Sequence, residues 1–151
     1  NQQYMDKNPN AAPTDFMKLA EIYVNKAKKD PAKKIENIDK AIGVYAKLSE
    51  KYPTLKTFAK LQEGNTAFQN ELDDKAIAAY TEVINELEAK QCDEDELSYL
   101  KTSYQYMGFI YTYDKQDFNT AKPYWDKLLK LDPQNKLAND AYEKAGLKPG
   151  E

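Results

Sequence analysis

The fold is decided by Tyr104–Pro133, YQYMGFIYTYDKQDFNTAKPYWDKLLKLDP. Tyr104, Met107, Gly108 and Tyr111 stand at 0, +3, +4 and +7, which places them on one face of a helix. Ala121, Trp125 and Leu128 repeat that spacing on a second helix, which Pro133 closes. The stretch therefore predicts two amphipathic helices joined by a tight turn. Pro123 is the one discordant residue. A helix capped by Asn119 would carry Pro123 at its fourth position, where an N–H has no intrahelical partner anyway.

The same marks recur upstream. Gly64, Ala76, Tyr80 and Val83 form a second copy, with 12 residues from Gly to Ala against 13 from Gly108 to Ala121. The longer turn supplies slack for the later helix start expected at Asn119. Ala20 and Tyr23 fit the first helix of an earlier copy, and Ala41, Tyr45, Leu48 and Pro53 the second. Ala41 to Ala76 is 35 residues and Ala76 to Ala121 is 45, so about ten residues are inserted between the later copies. They fall around Glu88–Glu96, where a helix runs on or a polar loop intervenes. Within that run, Asp93 and Glu96 have the spacing of a capping box. Another insertion lies near Lys28–Lys34, with Asp30 expected as cap and Pro31 as first helical residue. Pro133 to Ala145 reads as a final helix with Gly146 as its C-cap. Residues 1–9 read as the tail of a preceding helix, and 147–151 as a terminal tail. No stretch alternates like a strand, so the chain is expected to be all-α.

In residue type and order, these copies resemble the tetratricopeptide repeat: a large residue, a Leu-Gly-like pair, Tyr, Ala, an aromatic and Pro. The resemblance covers roughly residues 14–146. It implies a right-handed α-α superhelix of about three helix pairs, in repeats at approximately 14–53, 54–92 and 97–133, with a capping helix at 134–146. It also implies a concave groove, lined here by Phe58, Leu61, Gln62, Asn65 and Gln69 in the second copy. Tyr106, Phe109 and Tyr113 line it in the third, and Met17, Lys18, Glu21 and Val24 in the first. The groove positions of the third copy could equally contact the capping helix. The function implied is a non-catalytic protein-interaction module that binds a peptide or partner protein. The alternative is a structural or self-associating segment of a longer array, as a homo-oligomer with no separate ligand. A chaperone-tail clamp of this family pairs a Gly-Asn with a Lys four residues before the Asn. Gly64-Asn65 matches the pair, but Leu61 stands where the Lys should be and Tyr106 where a second Asn should be, which argues against that clamp.

Composition narrows the chemistry. The chain has 151 residues, 41% hydrophobic and 31% charged, enough for one domain with a sizeable core. It has no His, and all 22 basic residues are Lys. The commonest general base and the bidentate guanidinium are both missing. With a net charge of -3, no nucleic-acid partner is expected. No nucleophile–base pair, phosphate loop or metal spacing is present, so neither a catalytic site, a cofactor nor a metal is expected. The acidic run Asp93–Glu96 reads as a helix start rather than a cation site. Asp132–Glu143 has the length of a calcium loop but carries Leu137 where Gly is required and Lys136 at a ligand position. Lys26, Lys28, Lys29, Lys33 and Lys34 read as a solvated turn. Cys92 has no partner for an internal disulfide. No run approaches a membrane span, and no segment has the layout of a secretory signal. Residue 1 is Asn, so the chain is expected to be a fragment or processed form. Its compartment stays open between cytoplasm and bacterial periplasm.

Overall fold

The computed structural model describes residues 8–150. The expected helix tail at residues 1–9 lies almost wholly outside the described residues. Among the described residues there are seven α-helices and no strand. They are α1 (Pro13–Lys29), α2 (Lys34–Lys51), α3 (Lys56–Gln69), α4 (Asp73–Glu88), α5 (Glu94–Phe109), α6 (Phe118–Leu131) and α7 (Lys136–Lys144). The all-α expectation holds. The chain divides into two compact units, one up to Ala79 and the other from Tyr80, with the division inside α4.

In the first unit α1 packs on α2, and α2 on α3. Phe16, Leu19 and Ala20 of α1 meet Ala41, Val44, Tyr45 and Leu48 of α2 and Ala59 of α3 in one buried cluster. These are the 3.6-periodic apolar positions of each helix, so burial follows directly from spacing. Tyr52 pins the start of the unit: its hydroxyl donates to the Ala11 carbonyl at 2.7 Å, and its ring meets Phe16 edge-on. α1 begins with Pro13, and Asp15 reaches back to accept from the Ala12 N–H at 2.8 Å. The expected side-chain cap at Asp30 is not made. Pro31–Lys33 forms a 3₁₀ turn in which the Asp30 carbonyl, not its carboxylate, accepts from Lys33, and α2 starts only at Lys34.

In the second unit α5 packs on α6, and α7 contacts both. Trp125 is fully buried, and a Cβ built on Gly108 would lie 2.6 Å from its indole ring. Gly108 is thus required by close approach: any side chain would occupy the space of the ring. Tyr104, Met107, Leu128 and Ala121 are buried with it, as the spacing predicts. Between α4 and α5 a short polar loop, residues 89–93, takes up part of the insertion. α5 then opens with the expected capping box: Asp93 accepts from the Glu96 N–H at 2.8 Å, and Glu96 accepts from the Asp93 N–H at 3.1 Å. At the other end of the unit, α7 is capped by Asn135. It closes in a Schellman turn with Gly146 at φ +72, its N–H on the Glu143 carbonyl and that of Leu147 on Tyr142.

The extra residue of the last copy is found in an unexpected place. α5 continues into a π-turn, Ile110–Asp114, closed by the Lys115 N–H on the Ile110 carbonyl at 2.9 Å. The two interhelical turns are otherwise alike. Glu71 (φ 64) stands seven residues after Gly64 and five before Ala76; Gln116 (φ 53) stands eight after Gly108 and five before Ala121. The added residue therefore sits in the widened helical turn, not at the start of α6. This corrects the Asn119 expectation. Asp117 is the cap, accepting from the Thr120 N–H at 3.1 Å, and α6 starts at Phe118. Pro123 is then the sixth helical residue and lies inside α6. It deprives the Asn119 carbonyl of its helical donor, a loss that exposure to water at Asn119 makes tolerable.

Candidate functional site

The sequence-derived groove residues lie in two units, and each set is described by itself. On α3, Phe58, Gln62, Asn65 and Gln69 fall at 0, +4, +7 and +11 and share one face. Gln62 and Asn65 are half-buried and Gln69 is exposed. Phe58 is half-buried and packs against the core cluster of the first unit, so much of its ring is spent on the fold. Leu61 departs from expectation. At 5% exposure it is buried and presents no surface to a ligand. It lies to one side of the polar stripe, on the flank of α3 that faces inward.

Tyr106 and Phe109 at the end of α5, and Tyr113 in the π-turn that follows, are all half-buried. The Tyr106 ring lies 5.9 Å from that of Tyr80 on α4. Phe109 and Tyr113 lie 4.8 Å apart, and the Lys144 ammonium of α7 sits 4.7 Å over the Tyr113 ring. A contact with the final helix is therefore made at Tyr113. These aromatics retain some open surface, but part of their area is held by neighbours.

A neighbouring stripe of α5 was not singled out by sequence. Glu94, Leu97, Ser98, Lys101, Thr102 and Gln105 line a hollow of about 420 Å³, completed by Leu128 and Asp132 at the end of α6 and Asn135 at the start of α7. Asn135 fixes its rim. Its carbonyl oxygen caps α7 through the Ala138 N–H at 3.0 Å, and its amide donates to Gln105 Oε1 at 3.0 Å. Leu97 is 36% exposed, an apolar spot among hydroxyls, an amide and a lysine. The 3.6-residue recurrence of polar groups was legible, but it has the pattern of any solvated face. The hollow arises only where α6 ends and α7 begins.

Behind the aromatic stripe lies a polar cluster with a structural role. The Tyr104 hydroxyl donates to Glu88 at 2.7 Å, and Lys127 donates to the same oxygen at 2.9 Å. Burial disfavours the Glu88 anion, but the Tyr104 and Lys127 hydrogen bonds outweigh it and hold the carboxyl below its ordinary value. Burial and the same Glu88 bond push the Tyr104 phenol up, so it stays a donor. Cys92 donates to the Leu87 carbonyl at 3.3 Å, and burial, with Glu96, pushes its thiol up. A thiol held protonated is a poor nucleophile. Among the described residues no group of three or more His, Cys, Asp or Glu side chains is placed to hold a metal, and no helix is long and apolar enough to cross a membrane.

Compared with models of known protein families, with characterised proteins and with solved structures, the chain matches none of them.

Proposed function

We propose that the chain is a non-catalytic interaction module built on tetratricopeptide-like repeats, of the right-handed superhelical class, which holds an extended segment of a partner protein. The observation that carries this reading is the hollow along α5. From Leu97 to Gln105 it runs about 12 Å along the helix axis, the length of roughly four residues of extended chain. Ser98, Thr102 and Gln105 can hydrogen-bond a peptide backbone, Leu97 offers an apolar contact, and Lys101 adds a charge. The aromatic stripe Tyr106, Phe109 and Tyr113 is further surface of the same unit, and the α3 amides Gln62, Asn65 and Gln69 are a separate candidate surface of the first unit.

A peptide library displayed on phage and selected on the immobilised protein tests this. Selected peptides should share a short consensus, and Lys101→Glu with Gln105→Ala should weaken them by about tenfold or more. Loss of binding on Phe109→Ala with Tyr113→Ala alone would move the site to the aromatic stripe. No consensus, or binding indifferent to both pairs, would sink the reading. Ile22 and Ile35 favour a second reading, self-association: at 49% and 59% they are the most exposed large apolar side chains among the described residues. Sedimentation velocity over a concentration series would show it as a rising mass that Ile35→Asp abolishes.

A further inference from the structure

A second cavity of the same unit, separate from the hollow along α5, lies beside the π-turn. It measures about 360 Å³ and is lined by Thr112, Gln116, Phe118, Ala141, Lys144 and Ala145. That volume is within the ~300–1,000 Å³ range of small-molecule sites.

Its chemistry follows from where hydrogen-bond donors are left over. Thr112 is 7% exposed, and its Oγ1 accepts the Trp125 indole N–H at 2.8 Å. A hydroxyl has one proton to give as well as lone pairs to receive. With Trp125 donating to it, the Thr112 proton must go elsewhere, and among the described residues none accepts it. Among the described residues no carboxylate lies within ion-pair distance of Lys144; its ammonium sits 4.7 Å over the Tyr113 ring. Gln116, held at φ 53 in the turn, makes no side-chain hydrogen bond among the described residues. Thr112, Lys144 and Gln116, each with donor capacity to spare, thus line one cavity whose other walls are Phe118, Ala141 and Ala145. The widened turn makes this arrangement, since it turns Thr112 inward beneath Trp125 while Tyr111 is only half-buried. π-turns recur at functional sites.

Three donors, one of them charged, against an apolar wall call for an acceptor of single negative charge on an apolar body. We propose that this cavity binds a carboxylate carried on a small apolar or aromatic group. A phosphate would need a second cation, which the lining does not hold.

Isothermal calorimetry with phenylacetate, and with phenylacetamide as its uncharged counterpart, tests the site on the whole chain. Phenylacetate should bind saturably at millimolar concentration or tighter and phenylacetamide at least about tenfold more weakly, the equivalent of one charge-assisted hydrogen bond. Lys144→Gln, on the surface of α7, should abolish the difference between the two; Lys136→Gln on the same helix should leave it. Thr112→Val should weaken phenylacetate, read on protein whose unfolding midpoint is first measured. Repeating the titration with N-acetyl-Ala-Phe and its amide locates the source of the carboxylate. Tighter binding than phenylacetate assigns it to a peptide end, weaker binding to a free organic acid. No heat with either carboxylate, equal affinity for acid and amide, or an unchanged preference in Lys144→Gln overturns the proposal.

Discussion

A methyl group added at Gly108 would sit 2.6 Å from the Trp125 ring, whereas one added at Gly43, in the middle of α2, meets nothing within 4 Å. The two substitutions should therefore have opposite signs. Gly108→Ala should destabilise by about 1–3 kcal/mol, as overpacking does. Gly43→Ala should stabilise by about 0.5–1 kcal/mol through helix propensity alone. Denaturant midpoints check both, and equal effects would mean that Gly108 is not set by the ring. Glu88 carries a pH signature. Its folded carboxyl is held below the ordinary value of 4.5, so its contribution is present above that value and lost as the pH falls through the lower, folded one. Glu88→Gln should flatten the acid limb of the stability curve; an unchanged limb would refute the coupling. At this scale much could be read from sequence, because Gly108, Tyr104 and Trp125 are tied to burial by their spacing. Leu61 could not. A leucine beside a polar stripe belongs to either face until the buried flank of the helix is known.

Helix starts and turns show where local reading stops. The Asp93–Glu96 box was visible because its two partners stand three apart and both are needed. Asp93→Ala should cost about 1 kcal/mol, measured by thermal or chemical denaturation. The start of α6 was harder to place. Asp117 and Asn119 are both good caps, and the choice between them rests on the π-turn, whose i→i+5 bond leaves no residue signature. Pro123 follows from that choice. As the sixth residue of α6 it removes one helical hydrogen bond, so Pro123→Ala should raise stability, by up to about 3 kcal/mol. A fall in stability would mean that Pro123 does more than occupy an exposed position.

Over the whole chain, the all-helical class was legible because every helix has its own apolar period, whereas the α5 hollow was not. It needs a stripe of α5, the end of α6 and the cap of α7 together, and no local pattern encodes that meeting. The final helix is as much core as cap: Ala138, Ala141 and Tyr142 are at most 1% exposed. Truncation after Asp132 should lower stability by at least about 2 kcal/mol, the scale of one large side chain returned to water. An unchanged midpoint would make α7 an ornament. Trp125, buried against Gly108, is the only tryptophan of the chain and lies in the unit that starts at Tyr80. Red-edge excitation thus makes that unit luminous and leaves the other dark, while far-ultraviolet dichroism sees the helices of both. Two probes on one unmodified sample can then establish whether the halves melt as one body or as two.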